Sequence, residues 1–249
     1  MTITSDIPDA AENASAPADA PDAASGSVIA RILAHLQAHR LHAGDRLPSE
    51  RDLAEQLGVG RNAVREALAT LATLRIVELK PNSGIYLRQI ERESSFEALV
   101  MLADMGGTPT RTEVAETMEV RAHLEIQALG LACKRRTEQD LARLDAVLRK
   151  TEEVLAQGAN IAACDTDFHI AVADATHNSV LVRVLNAFYR FTSRRRASLF
   201  EDAAQGKASL REHRRLVEHI RNRDAAKAQL LILRHMERAR NYWSAVLGD

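Results

Sequence analysis

The sequence predicts a mainly α-helical protein in two parts, with one small β-hairpin near residue 80. Three observations predict it. Apolar residues recur at three- and four-residue steps along nearly every segment, the mark of helices that bury one face. The hairpin is marked by two short apolar runs, 76–79 and 85–87, flanking Lys80-Pro81-Asn82-Ser83-Gly84, where asparagine and glycine tolerate left-handed backbone angles. After about residue 92 every apolar segment has helical spacing again.

Residues 1–26 carry Asp6, Asp9, Glu12, Asp19 and Asp22 but no Lys, Arg or aromatic residue. Such a stretch cannot bury enough apolar surface to offset its ordering entropy, so an acidic disordered tail is expected. From Ser27, a candidate N-cap, Val28, Ile29, Ile32, Leu33 and Leu36 form one stripe. The turn Ala43-Gly44-Asp45 leads into Arg46-Leu47-Pro48, extended because a residue before proline avoids helical angles. Ser49 then caps a helix over 50–57 that Gly58 stops, and a second helix over 61–74 presents Val64, Leu68 and Leu71 on one face.

Further helices are expected at 94–105, 111–134, 138–156, 160–175, 179–200, 207–221 and 225–246. Thr137 with Asp140 resembles a capping box, and Asp224 is an N-cap. Breaks are expected at Gly106-Gly107-Thr108-Pro109, at Gly158 and near Gly206. No repeat of 20 to 50 residues is visible, which favours an antiparallel bundle over a solenoid. The expected organisation is a tail at 1–26, a winged helix-turn-helix at 27–90 with the hairpin as its wing, and an all-helical domain at 94–247.

Composition narrows the function classes. The 249 residues are 46% hydrophobic with a formal net charge of -1, so there is core enough for two domains and any basic surface is local to one of them. Cys133 and Cys164 are too few for a disulfide scaffold and lack zinc-finger spacing. The start of the chain has no signal-peptide pattern, and no run of about twenty apolar residues suggests a membrane span. A cytoplasmic protein without a membrane partner is expected.

In a helix-turn-helix the second helix enters the major groove with its N-terminal residues at base edges. Here that end carries Arg61 and Asn62, with Arg65 one turn on, while Arg51 near the start of the preceding helix is placed for the backbone. Arginine pairs with guanine and asparagine with adenine. Between Ser27 and Arg88 basic residues outnumber acidic ones nine to six, so placement matters more than the sum. An isolated cluster of this kind is usually a solvated helix face, but the succession helix, turn, helix, hairpin favours DNA. Gly44-Asp45-Arg46-Leu47-Pro48-Ser49-Glu50-Arg51-Asp52-Leu53-Ala54 and Val64-Arg65-Glu66-Ala67-Leu68 resemble the signature of the GntR family of bacterial regulators. The resemblance implies that Arg51, Arg61 and Arg65 contact DNA and that Gly84 of the wing inserts in the minor groove. Gly60 stands where the family usually has Ser or Thr, Asn82 replaces the first of two wing glycines, and Asn62 and Ala63 occupy frequent threonine positions.

Asp165 and His169 stand four apart on one helix and therefore on one face. Such a pair is often only a cap or hydrogen bond, but His213 and His235 each lie on or beside an apolar stripe of another helix, and a buried histidine needs partners. The four would bind a borderline divalent metal, zinc first, with nickel or manganese as alternatives. Asp165-Thr166-Asp167-Phe168-His169, Asn178, Glu212-His213 and His235 resemble the FCD effector domain of the FadR subfamily, whose metal-binding pattern all four match. That resemblance implies a small carboxylate effector at the metal's open positions and places Asn178 near the pocket, although a turn between helices explains Asn178 as well. Arg121 follows an inward face with Val114, Met118, Glu125 and Ala128; its partner is either Glu125 or an anionic ligand. The Arg194-Arg195-Arg196 run is read as a helix face, with at most one arginine turned inward. Three histidines and a carboxylate could also serve an enzyme, but no nucleophile and base pair accompanies them, so no enzyme is expected. The resulting expectation is a repressor that binds a palindromic double-stranded operator as a homodimer and answers to an organic acid.

Overall fold

The computed structural model describes residues 23–106 and 110–247; of the tail expected over 1–26, residues 1–22 lie outside the described residues, as does Gly107-Thr108-Pro109, while residues 23–26 belong to the first helix and not to a disordered tail. The chain divides into two compact units, Met1–Glu93 and Ser94–Asp249.

The first unit contains α1 (Ala23–Ala38), α2 (Glu50–Leu57), α3 (Arg61–Thr73), β1 (Val77–Lys80), β2 (Gly84–Leu87) and the short α4 (Ile90–Glu93). Its core is apolar, with Ile32, Leu53, Val64, Leu68, Leu71 and Ile76 fully buried. Helix α1 begins at Ala23, so Ser27 lies inside the helix and is not its cap. The apolar stripe marks where burial starts, and the helix runs back from it through Ala23-Ala24-Ser25-Gly26. Ser49 caps α2 as expected, its Oγ accepting from Asp52 N, and Gly58 closes the helix in the left-handed region. The strands pair antiparallel with Val77 opposite Leu87 and Lys80 opposite Gly84, each placed one residue from its expected start. Residues 44–47 run beside β2, with Leu47 N donating to Ile85 O and Leu87 N to Asp45 O. Helix α4 was not expected and carries this unit to Glu93.

The second unit contains α5 (Phe96–Asp104), α6 (Arg111–Arg135), α7 (Glu138–Ala156), α8 (Ala162–Asp174), α9 (Ser179–Phe191), α10 (Ser193–Leu199), α11 (Ala203–Arg221) and α12 (Ala225–Leu247). Helix α6 packs along α12 and against α8, while α7 packs on α8 and α11. Leu129, Leu144, Phe168, Leu185, Leu216 and Ile232 fill the space between them. Among the described residues no helix is long and apolar enough to cross a membrane.

Two expectations are corrected here. The single helix expected over 179–200 divides at Thr192, whose φ of -96° and ψ of 7° leave the helical region between α9 and α10. Gly206 does not break the chain but lies inside α11, where a Cβ would come 3.0 Å from Leu155 Cδ2. A glycine kept for close approach looks, in sequence, like one kept for a turn. Gly106 does turn the chain, at φ +90°, and leaves room for Arg194, which donates to Asp104 O at the end of α5.

The capping box of α7 forms as expected: Thr137 Oγ1 accepts from Asp140 N, and Asp140 Oδ2 accepts from Thr137 N at 2.8 Å. His177 Nε2 stands 3.0 Å from the same carboxylate oxygen. Burial opposes ionisation of Asp140, yet the bonds from Thr137 and His177 outweigh it and hold its pKa below the usual value. The charged form is therefore favoured by folding, and its contribution is present above the ordinary aspartate pKa and lost as pH falls through the depressed one. Asp140→Asn should cost about 1 kcal/mol at neutral pH, and in urea unfolding at a series of pH values the gap to wild type should close below about pH 4.

Candidate functional site

Helix α8 places Asp165 and His169 one turn apart, α11 brings His213, and α12 brings His235. All four are at most 3% exposed, and one ligating atom from each lies within 4.8 Å of the others. The structure thus brings the four expected ligands together. They converge without bonding one another: Asp165 Oδ1 is 3.8 Å from His169 Nε2 and 3.6 Å from His213 Nε2. Asp165 Oδ1 and both ring nitrogens of His213 have no hydrogen-bond partner. Each such orphan costs about 1–3 kcal/mol, and a shared cation would satisfy Asp165 Oδ1 and one of the two His213 nitrogens together. Phe168 fixes the His213 ring by stacking at 3.8 Å between centroids and 7° between planes.

Two carboxylates orient the other imidazoles from behind. His169 Nδ1 stands 2.9 Å from Glu125 Oε1, and His235 Nδ1 bonds Glu212, which Arg238 holds at 2.8 Å. Fixing Nδ1 in this way turns Nε2 toward the common centre, as is usual for metal-ligating histidines. His169 Nε2 also takes a long 3.3 Å contact from Arg121 Nη2. Burial holds the pKa of His169 and of His213 well below the imidazole range, so both are neutral at pH 7, the form that binds metal. Glu212 is held at about 2: burial works against its charge, but the bonds from His235 and Arg238 prevail.

Arg121 points inward, 3.9 Å from Glu125 Oε1, but its shorter partner is Tyr189, whose hydroxyl accepts from Nη2 at 2.9 Å and donates to Glu125. Sequence periodicity placed Arg121 and Glu125 on one face but gave no sign of Tyr189, which sits on an apolar stripe with Leu185 and Phe188. Arg196 was missed for the same reason in reverse. The break at Thr192 turns it inward to 5% exposure, with Nη2 bonding Thr166 Oγ1 and Tyr189 O, and Nη1 3.7 Å from Asp165 Oδ2. A small cleft beside the cluster is lined by Thr117, Arg121, Thr192, Arg195, Arg196 and Trp243, among others. Asn178 is not among its lining residues; its Oδ1 caps α9, accepting from Val180 N and Leu181 N at 3.2 Å.

In the first unit Arg61, Asn62 and Arg65 are exposed on the opening turns of α3, and Arg51 is exposed on α2. Arg65 pairs with Glu50 at 3.1 Å and Arg51 with Asp52 at 3.4 Å, exposed pairs worth about 0–1 kcal/mol and easily exchanged for phosphate. Gly84 at the wing has φ +130°, and a Cβ there would meet Arg46 Nε at 2.6 Å.

Residues 24–87 match the family described as bacterial regulatory proteins, gntR family, and residues 116–238 match the FCD domain. The second match spans all four clustered side chains. The chain is 32% identical over 201 residues to the HTH-type transcriptional regulator LutR of Bacillus subtilis, covering 79% of this chain and 90% of LutR. It is 31% identical over 199 residues to the Uxu operon regulator of Haemophilus influenzae, covering 78% of this chain and 72% of that protein. Among solved structures, Lar of Listeria monocytogenes superposes with a TM-score of 0.56 at 19% identity over 86% of this chain and 94% of Lar, a likeness of fold. These families and relatives are transcriptional regulators and not enzymes.

Removing the Tyr189 hydroxyl would strand Arg121 and Glu125 in the core. Tyr189→Phe should therefore lower stability in urea unfolding by about 2–3 kcal/mol, while Tyr242→Phe, whose hydroxyl holds no buried charge, should change it little.

Proposed function

Since the chain belongs to the GntR family of bacterial regulatory proteins and carries an FCD domain, we propose that it is a repressor that binds a palindromic operator as a homodimer and is released by a small organic acid at a metal site. As a GntR-family regulator with an FCD domain it is ligand-responsive. The observation that carries the finer reading is the buried convergence of Asp165, His169, His213 and His235 with three of their polar atoms unsatisfied. Neutral imidazoles and one carboxylate are a donor set for a borderline divalent ion, with zinc the first choice and nickel or manganese next. A bound ion would offer a carboxylate an open coordination position. Glu125 and Glu212 hold the imidazoles in place, and Arg121 stands beside His169 to meet the acid's charge.

On the DNA side, Arg61, Asn62 and Arg65 read the major groove, Arg51 meets the phosphate backbone, and Gly84 lets the wing approach the minor groove. Effector binding lowers operator affinity by the difference in its affinity for the two states of the protein.

Arg61→Ala and Arg65→Ala should each weaken operator binding by roughly 1–3 kcal/mol in gel-shift titrations at fixed salt, with thermal stability unchanged. Elemental analysis should find about one divalent metal per chain. His213→Ala should lose that metal and the response to a carboxylate while retaining operator binding. Wild-type effector affinity in the folded, metal-free variant would sink the sensing role of the cluster.

A further inference from the structure

The effector's chemical class follows from the charges around the cluster. Besides the pair Glu212 and Arg238, the centre and the lining of its adjoining cleft hold three guanidinium groups, Arg121, Arg195 and Arg196, and two carboxylates, Glu125 and Asp165, while the exposed Glu113 acts on Arg195 from outside that lining. A divalent ion on the cluster would raise this excess of positive charge from one to three. Burying uncompensated charge is expensive. A monocarboxylate would leave two charges unanswered, whereas a dianion would leave one, and Arg195 is half-buried and can keep water.

Arg196 supplies the second observation. It is buried, yet its Nε and Nη1 have no hydrogen-bond partner, and Nη1 is too far from Asp165 for a bond. Buried guanidinium donors are normally satisfied, and a carboxylate takes two of them side by side. On the other side of the cleft Arg195 Nη1 makes only a long 3.4 Å contact with Thr117 Oγ1. The cleft has a volume of about 20 Å³, room for a single water, so a ligand enters by displacing Arg195 from Thr117.

Resting on the proposed metal-site reading, the geometry points to a short dicarboxylate effector: one carboxylate lies at the cluster, and the second is held by Arg195 and Arg196 with the Thr117 hydroxyl beside it. Arg121 lies between the two ends, against His169 on one side and the cleft on the other.

Calorimetric titration of the full-length, zinc-loaded protein with succinate and with succinamate, which has the same shape and one charge fewer, tests this. Succinate should bind about tenfold tighter or more. Arg195→Gln, at a half-buried position where glutamine keeps the chain's contact with Phe191, should remove that advantage and leave succinamate affinity unchanged, with thermal unfolding checking that the variant is folded; Arg196→Gln should do the same if it folds. Equal affinity for the two ligands, an equal loss of both in Arg195→Gln, or no binding of either would overturn the proposal. Repeating the titration after zinc removal separates it from its premise. A retained succinate preference in Arg195-containing protein without zinc would support the arginine subsite and refute the metal reading, whereas zinc binding without any charge preference would do the reverse.

Discussion

Charge buried inside a helical bundle has to be answered locally, and in the second unit this requirement gathers six helices about one centre. Helix α6 contributes Arg121 and Glu125, α8 Asp165 and His169, α9 Tyr189, α10 Arg196, α11 Glu212 and His213, and α12 His235 and Arg238. An apolar contact tolerates sliding by a fraction of a turn, but a hydrogen bond to a buried charge does not. The registers of these helices are therefore tied to one another through Tyr189, Glu125 and Glu212. Helix α7 supplies the apolar floor instead, with Leu141 and Leu144 under α8 and α11.

The first unit is organised on the opposite plan. Among its described residues no charged side chain is buried, and its arginines stand in solvent with loosely held partners. A guanidinium that must leave its partner for a phosphate belongs in such a setting, because an exposed ion pair costs little to break. The same residue type thus stands in two settings in one chain: the Arg65 pair is open to water, and Arg196 is enclosed away from it.

What the sequence disclosed follows from the range over which each feature is determined. Caps are settled within four residues, so Ser49, Thr137 and Asp224 were legible. Asp165 and His169 share a face by spacing alone, and His213 and His235 became legible through their stripes and the FCD resemblance. Tyr189, Glu212 and Arg196 were not, because their roles come from partners 20 to 70 residues away. Thr192 and Gly206 misled for a related reason. Whether a glycine ends a helix is decided by what packs against it, here Leu155 of α7, and the back-bond that Thr192 makes is made equally by Thr151 and Thr166 inside unbroken helices.

Helix α10 faces two ways. Arg196 reaches from it to Thr166 and Asp165, while Arg194, two residues earlier, holds the carbonyl of Asp104 across the gap that Gly106 leaves open. Both side chains leave one helix of seven residues toward different neighbours. The short helix is therefore pinned on both faces, and the end of α5 is fixed by the same seven residues that reach the charged centre.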